Sequence, residues 1–256
     1  MTKFTINPSK NEQYQNLKAG LYLISTPIGN LHDISVRALR ILESLDLLLA
    51  EDTRKAKHLY DYYEIHKPQG GIISLNEHNE DRVIPEIIER ISDYPIVGYV
   101  CDAGTPCISD PGFKLTVEFR DKHIPVFPIP GPSALTAAMS VCGMNYDCYK
   151  PLTFFGFLPP NKTKRINFIN KIKIFKGVLL FFESPKRIDL TMKDLAKVFD
   201  ENIYMFVGRE ITKKFETLWW GKIGDYLYYR EKQKKNNPNS LLGEYVIALR
   251  NFDVDT

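Results

Sequence analysis

Short apolar runs, each followed at once by a cluster of glycine, proline and small polar residues, recur along this chain and constrain its fold more than any other feature. In the first half, Leu21–Ser25, Asp46–Ala50, Gly71–Ser74, Ile96–Val100 and Pro125–Pro128 are too short for buried helices and read as strands covered on both faces. Helical patterns lie between them. Ile34, Ala38, Ile41, Leu42 and Leu45 share one helical face behind a candidate cap at Asp33. Further helices are predicted over Thr53–Tyr63, Asp81–Ser92 and Gly112–Lys122. Such alternation predicts right-handed crossovers and a mainly parallel sheet.

Gly131-Pro132 opens a helix of small residues, Ser133–Cys142, with proline at a favoured first position. The boundary is placed there, giving an N-terminal α/β domain over residues 18–130 and a C-terminal α/β domain over 131–256. In the second domain, strands are predicted at Leu152–Phe155, Gly177–Phe182, Ile203–Val207, Thr217–Trp220 and Glu244–Leu249. Helices are predicted at Lys162–Ile174 and Lys186–Phe199. Arg230–Ser240, rich in lysine and asparagine, reads as a mobile loop, and the strand that follows it predicts a mixed sheet.

No apolar run approaches the roughly 20 residues that span a bilayer. Met1–Ala19 is polar, lacks the apolar stretch of a secretory signal, and reads as a frayed lead-in. Cys101, Cys107, Cys142 and Cys148 form no C-x-x-C pair, and the histidines form no H-E-x-x-H pattern. The expectation is free thiols in a reducing cytoplasm, with no metal. Charge is uneven: 14 Lys+Arg stand against 18 Asp+Glu up to residue 130, and 20 against 13 beyond it. A basic second half suits an anionic partner.

The odd residues sit just after the predicted strands. Thr26–Asn30, Glu51–Arg54, Leu75–Glu80, Asp102–Pro106 and Ile129–Ser133 do so in the first half. Gly156–Pro159, Glu183–Arg187 and Gly208–Lys213 do so in the second. Ligands of open parallel sheets bind at the carboxyl ends of the strands, so each half is predicted to carry one functional rim, with a cofactor cleft between the domains. No G-x-G-x-x-G, no G-x-x-x-x-G-K-[ST] and no G-x-S-x-G occurs. Gly- and Pro-rich loops make tight turns, and they also expose backbone groups to a small polar ligand.

Taken in order, Ser25-Thr26-Pro27-Ile28-Gly29-Asn30-Leu31, Ala50-Glu51-Asp52-Thr53-Arg54, Glu77-His78-Asn79-Glu80 and Asp102-Ala103-Gly104-Thr105-Pro106 with Ile108-Ser109-Asp110-Pro111-Gly112 are specific motifs. Pro130-Gly131-Pro132-Ser133-Ala134, Gly156-Phe157-Leu158-Pro159, Glu183-Ser184-Pro185 with Arg187, and Arg209-Glu210-Ile211-Thr212-Lys213 complete the set. Across Gly20–Leu249 the chain resembles the bacterial ribosomal RNA small subunit methyltransferase I family, of the tetrapyrrole-methylase fold (class III methyltransferases). The resemblance implies a two-domain homodimer that binds S-adenosylmethionine and methylates the ribose 2′-hydroxyl of a cytidine in 16S rRNA of the small ribosomal subunit. Two departures from the family pattern are Lys186, where histidine is common, and Cys101, where serine or alanine is common. The motifs end near Gly243-Glu244-Tyr245, before the further small domain that many members carry.

Carried over by motif, Pro27, Ile28, Gly104, Thr105, Ile108, Ser133, Ala134, Phe182 and Glu183 are expected to contact the cofactor. The transfer that the resemblance implies is an in-line displacement in which positioning supplies much of the rate, and the hydroxyl proton needs an acceptor. Asp52, Glu77, Glu210 and Lys213 are the catalytic candidates. Arg54, Lys162, Lys164, Arg165, Lys186, Arg187 and Arg209 are the candidates for RNA contact, the acid-free Lys162–Lys176 run reading as a phosphate-contacting helix. A tetrapyrrole methyltransferase and a non-catalytic RNA-binding module with a retained cofactor pocket stay open as alternatives.

Overall fold

A computed structural model describes residues 17–236 and 242–252. Most of the expected lead-in, residues 1–16, lies outside the described residues. The chain divides between Ser133 and Ala134 into two compact units. Among the described residues no helix is long and apolar enough to cross a membrane.

Unit 1 is built on five parallel strands: β1 (Gly20–Ile24), β2 (Leu47–Ala50), β3 (Ile72–Ser74), β4 (Ile96–Val100) and β5 (Val126–Ile129), in the order β3-β2-β4-β1-β5. Strand side chains alternate between two cores. Leu48 and Ala50 face α1 (Val36–Glu43) and α2 (Thr53–Tyr63), through Ile41, Leu42 and Tyr60. Leu47 and Leu49 face α3 (Glu80–Glu89) and α4 (Phe113–Asp121), through Val83, Ile87 and Phe119. This double cover explains why the strands are apolar throughout. The helices after β1 and β2 thus leave on one face and the helix after β4 on the other. Loops that part in this way leave a crevice at the carboxyl edge.

The start of α1 differs from the Asp33 cap predicted above. Leu31–Asp33 forms a short 3-10 turn, Ile34 is extended, and the Ser35 hydroxyl accepts from the Ala38 N–H at 3.1 Å. Serine at the true cap satisfies a helix-end donor, while Ile34 and Leu45 still pack on the predicted core.

Unit 2 holds a mixed sheet of β6 (Leu152–Phe157), β7 (Gly177–Glu183), β8 (Tyr204–Arg209), β9 (Thr217–Lys222) and β10 (Tyr245–Asn251), in the order β6-β7-β10-β8-β9. β6 and β7 are parallel, and β10 is antiparallel to both β7 and β8, so β6, β7 and β8 run in one direction. The loops after these three strands therefore share one edge. α5 (Ala134–Val141) covers one face, and α6 (Lys162–Ile172), α7 (Ile188–Phe199) and α8 (Ile223–Asn236) cover the other.

α8 corrects the loop predicted from Arg230. Ile223, Tyr226 and Arg230 fall on one helical face and are buried. The Arg230 guanidinium donates to Asp189 at 2.8 Å and to the Tyr245 hydroxyl at 2.7 Å, and Lys234 pairs with Asp189 at 2.5 Å. The predicted loop's remainder, residues 237–240, lies outside the described residues.

Candidate active site

Three loops at the carboxyl edge of unit 1 are tied to one another. Thr26, after β1, exchanges two backbone hydrogen bonds with Gly104, after β4, at 2.9 and 3.0 Å. The Thr105 hydroxyl donates to the Pro132 carbonyl, after β5, at 3.1 Å. That leaves the Ser25 hydroxyl as donor in its 3.0 Å contact with Thr105 Oγ1. Gly131 is needed for the close approach, because a Cβ there would sit 2.9 Å from Ser25 Cβ. Gly104 has φ +82°, which glycine adopts without strain. Cys107 (φ 68°) and Ser109 (φ 61°) adopt the left-handed region without that freedom, at a cost of order 1–3 kcal/mol each. Bonds from Cys107 N–H to Pro111 O (3.2 Å) and from Ile108 N–H to Thr105 O (3.3 Å) hold them. The 104–112 loop is thus fixed in shape, with Ile108 exposed at its crest.

Beside this cradle the rim is acidic. Two clefts of about 470 and 490 Å³ share Asp52, Arg54 and Asp102; the first also takes in Glu51, Asn76, Glu77 and His78, the second Thr26 and Pro27. The Asp52 carboxylate caps α2 and is gripped by Arg54 through Nε at 3.0 Å and Nη2 at 2.6 Å. Those hydrogen bonds hold its pKa far below the usual carboxylate range, so Asp52 is a poor proton acceptor. Its neighbour differs. Burial raises the Glu51 pKa, and the charges of Asp102 and Glu77 add to that, against the Asp102 N–H (3.1 Å) and Lys55. Lys55 holds Asp102 Oδ2 at 2.7 Å, while Asp102 Oδ1 is buried and accepts no hydrogen bond among the described residues. Ligating atoms of Glu51, Cys101 and Asp110 lie within 4.8 Å of one another. Burial, with the Asp110 charge, pushes the Cys101 thiol up, so it stays protonated near neutrality.

In unit 2 several predicted contacts are internal braces. Arg209 is buried, and its guanidinium donates to Thr217 Oγ1, Leu242 O and Phe215 O at 3.1, 2.7 and 2.8 Å. Buried Glu183 accepts from Ser184 N–H at 2.7 Å and the Thr191 hydroxyl at 2.6 Å, and pairs with Arg187 at 2.8 Å. Glu210 accepts from Glu244 N–H at 2.8 Å and Lys213 at 2.9 Å. Burial alone would raise the Glu210 pKa, but these bonds and the Lys213 and Arg209 charges outweigh it and leave the pKa lowered. Arg165 is the clearest correction. It lies on the inner face of α6, 2% exposed, and pairs with buried Asp194 at 2.7 Å. Lys162, Lys164 and Lys186 are exposed, and Phe182 is half-buried against Phe154 and Phe157.

The tetrapyrrole (corrin/porphyrin) methylase family matches residues 20–226. The ribosomal RNA small subunit methyltransferase I of Thermotoga maritima is 39% identical over 229 residues, covering 90% of this chain and 97% of that protein. The protein of the same name from Neisseria meningitidis serogroup A is 42% identical over 230 residues, covering 90% of this chain and 75% of its own. The chain belongs to the ribosomal RNA small subunit methyltransferase I family. Solved structures show the wider fold shared with that family. A cobalt precorrin-4 methyltransferase of cobalamin biosynthesis superposes with TM-score 0.64 at 16% identity, over 91% of this chain and 95% of its own. A uroporphyrin-III C-methyltransferase from Thermus thermophilus, complexed with S-adenyl homocysteine, gives 0.58 at 12%, over 90% and 96%.

Glu51, Lys55 and Asp102 share the rim with Asp52 but are not among the catalytic candidates read from the sequence. All three stand in or beside the quoted motifs. The signal for Glu51 was its place at the end of β2, where one residue of an acidic pair turns toward the sheet and the other caps the helix. Only the fold decides which is which.

Proposed function

We propose that this chain transfers a methyl group from S-adenosylmethionine to the ribose 2′-hydroxyl of a cytidine in small-subunit ribosomal RNA. The observation that carries the reading is the tied, strained 104–112 cradle beside a buried acceptor, Asp102 Oδ1, that has no donor among the described residues. A ligand with an ammonium and a sulfonium suits such an acidic rim. When bound, S-adenosylmethionine supplies a methyl group already activated by its sulfonium.

The chain's own residues then orient and accept. Thr105 and Ile108 line the cradle that the Thr26–Gly104 pair holds in shape, Pro27 and Ile28 add an apolar edge, and Ser133 a hydroxyl. Glu51 is assigned as acceptor of the 2′-hydroxyl proton, being half-buried, at the cleft, and tuned upward toward working pH. Arg54, 88% exposed at its side chain, and the exposed Lys162, Lys164 and Lys186 are assigned to RNA phosphates.

Incubation with methyl-labelled S-adenosylmethionine and small ribosomal subunits tests this. Label in the RNA supports the reading. Label only in an added tetrapyrrole, or cofactor binding without transfer, overturns it.

A further inference from the structure

The loop joining β8 to β9, Glu210–Glu216, is built more firmly than a surface connection requires. Glu210 (φ 52°) and Thr212 (φ 69°) are both left-handed without being glycine. Arg209 beneath it donates to the backbone carbonyl of Phe215 itself at 2.8 Å. Lys213 is gripped between Glu210 at 2.9 Å and Glu244 at 2.8 Å. Thr212 N–H donates to the Glu216 carboxylate at 2.7 Å, and Glu216 N–H to Lys213 O at 3.1 Å. Strain held by surrounding bonds is characteristic of ligand clamps.

What this framework presents is an aromatic ring. Phe215 is 65% exposed, and Lys214 Nζ stands 5.6 Å from its ring centroid. Lys214 has no carboxylate partner among the described residues. The chain neighbours of Phe215, namely Lys214, Glu216 and Thr217, are exposed and polar. A protein-binding hot spot is a cluster of apolar side chains inside a rim. An exposed aromatic ring beside a cation matches an unpaired nucleotide instead, whose base stacks and whose phosphate is paired.

We propose that Phe215 is a stacking platform for an unpaired base of the RNA substrate, with Lys214 at the adjoining phosphate. The inference rests on the reading of RNA as substrate. The test compares wild type with Phe215→Ala, Phe215→Leu, Phe215→Trp and Lys214→Ala in filter binding to small-subunit RNA across salt concentrations. Calorimetry with S-adenosylmethionine and thermal unfolding verify that each variant is folded. Phe215→Ala and Phe215→Leu are expected to weaken RNA binding about tenfold, in the range of base–aromatic stacking, with the salt slope unchanged. Phe215→Trp is expected to retain affinity. Lys214→Ala is expected to reduce the salt slope by about 1. Wild-type affinity in Phe215→Ala or Phe215→Leu overturns the proposal. So does a changed sedimentation coefficient in Phe215→Ala with RNA affinity intact, which makes the ring a protein contact. If wild type itself fails to bind RNA, the substrate reading falls, and the proposal with it.

Discussion

Replacing Arg165 by methionine distinguishes a core ion pair from an RNA contact. Its Nε and Nη2 donate to Asp194 Oδ2 at 2.9 and 2.7 Å, and its Nη1 donates to Pro160 O at 3.0 Å. The two side chains are 2% and 4% exposed. Removing the guanidinium strands the Asp194 carboxylate in the core of unit 2, which costs about 3–5 kcal/mol. At roughly 4 °C per kcal/mol for a unit of this size, the melting temperature should fall by about 12–20 °C. Arg165→Met combined with Asp194→Leu should recover most of the loss, because no charge is then left unpaired. Thermal unfolding by circular dichroism reads the first effect, and RNA binding across salt concentrations reads the alternative. Retained stability with a salt slope reduced by about 1 would put Arg165 at the RNA and refute the reasoning.

Three further outcomes follow from the site. Glu51→Gln should lower methyl transfer by about 10²-fold or more, the usual scale of a general base, while leaving cofactor affinity intact. Because burial raises the Glu51 pKa, activity in wild type should fall with decreasing pH at a higher pH than an ordinary carboxylate near 4.3 would give, and the variant should lose that limb. The folded state disfavours this charge, so the variant should be no less stable near neutrality; a large stability loss would reassign Glu51 to structure. Gly104→Val, placed at φ +82°, should destabilise unit 1 by about 1–3 kcal/mol and weaken cofactor binding, as urea titration and calorimetry would read. Lys213→Met should reduce stability mainly between about pH 5 and 10. Glu210, lowered in the fold, stabilises above its unfolded pKa and loses this as pH falls through its folded one; Lys213, raised, stabilises below its unfolded pKa and loses this as pH rises through its folded one. A pH-independent difference in melting temperature would contradict it.

The strands of unit 1 and the loops at their carboxyl ends were legible because a doubly covered parallel strand must be apolar throughout and must end in a turn. Leu47–Ala50 shows both, alternating between two cores before Glu51. Charged residues that enter a core were misread, because their type suggests solvent. Arg165 shares a helical face with Ile169 and Ile172, a spacing that carried the answer although the lysines around it argued otherwise. Arg230 hid α8 in the same way, since its burial depends on Asp189 and Tyr245, 41 and 15 residues away. The tuning of Glu51 against Asp52 depends on which carboxylate meets Arg54 and which meets the backbone of Asp102, a partner 51 residues distant. No local pattern encodes that pairing.

Nucleoside mass spectrometry tests transfer to a ribose oxygen most directly. Small ribosomal subunits lacking the modification are incubated with the chain and S-adenosylmethionine, and their RNA is digested to nucleosides. 2′-O-Methylcytidine is expected to appear with wild type and to be sharply reduced with Glu51→Gln. A methyl group on a base, or no new methylated nucleoside while a tetrapyrrole is methylated, would contradict it.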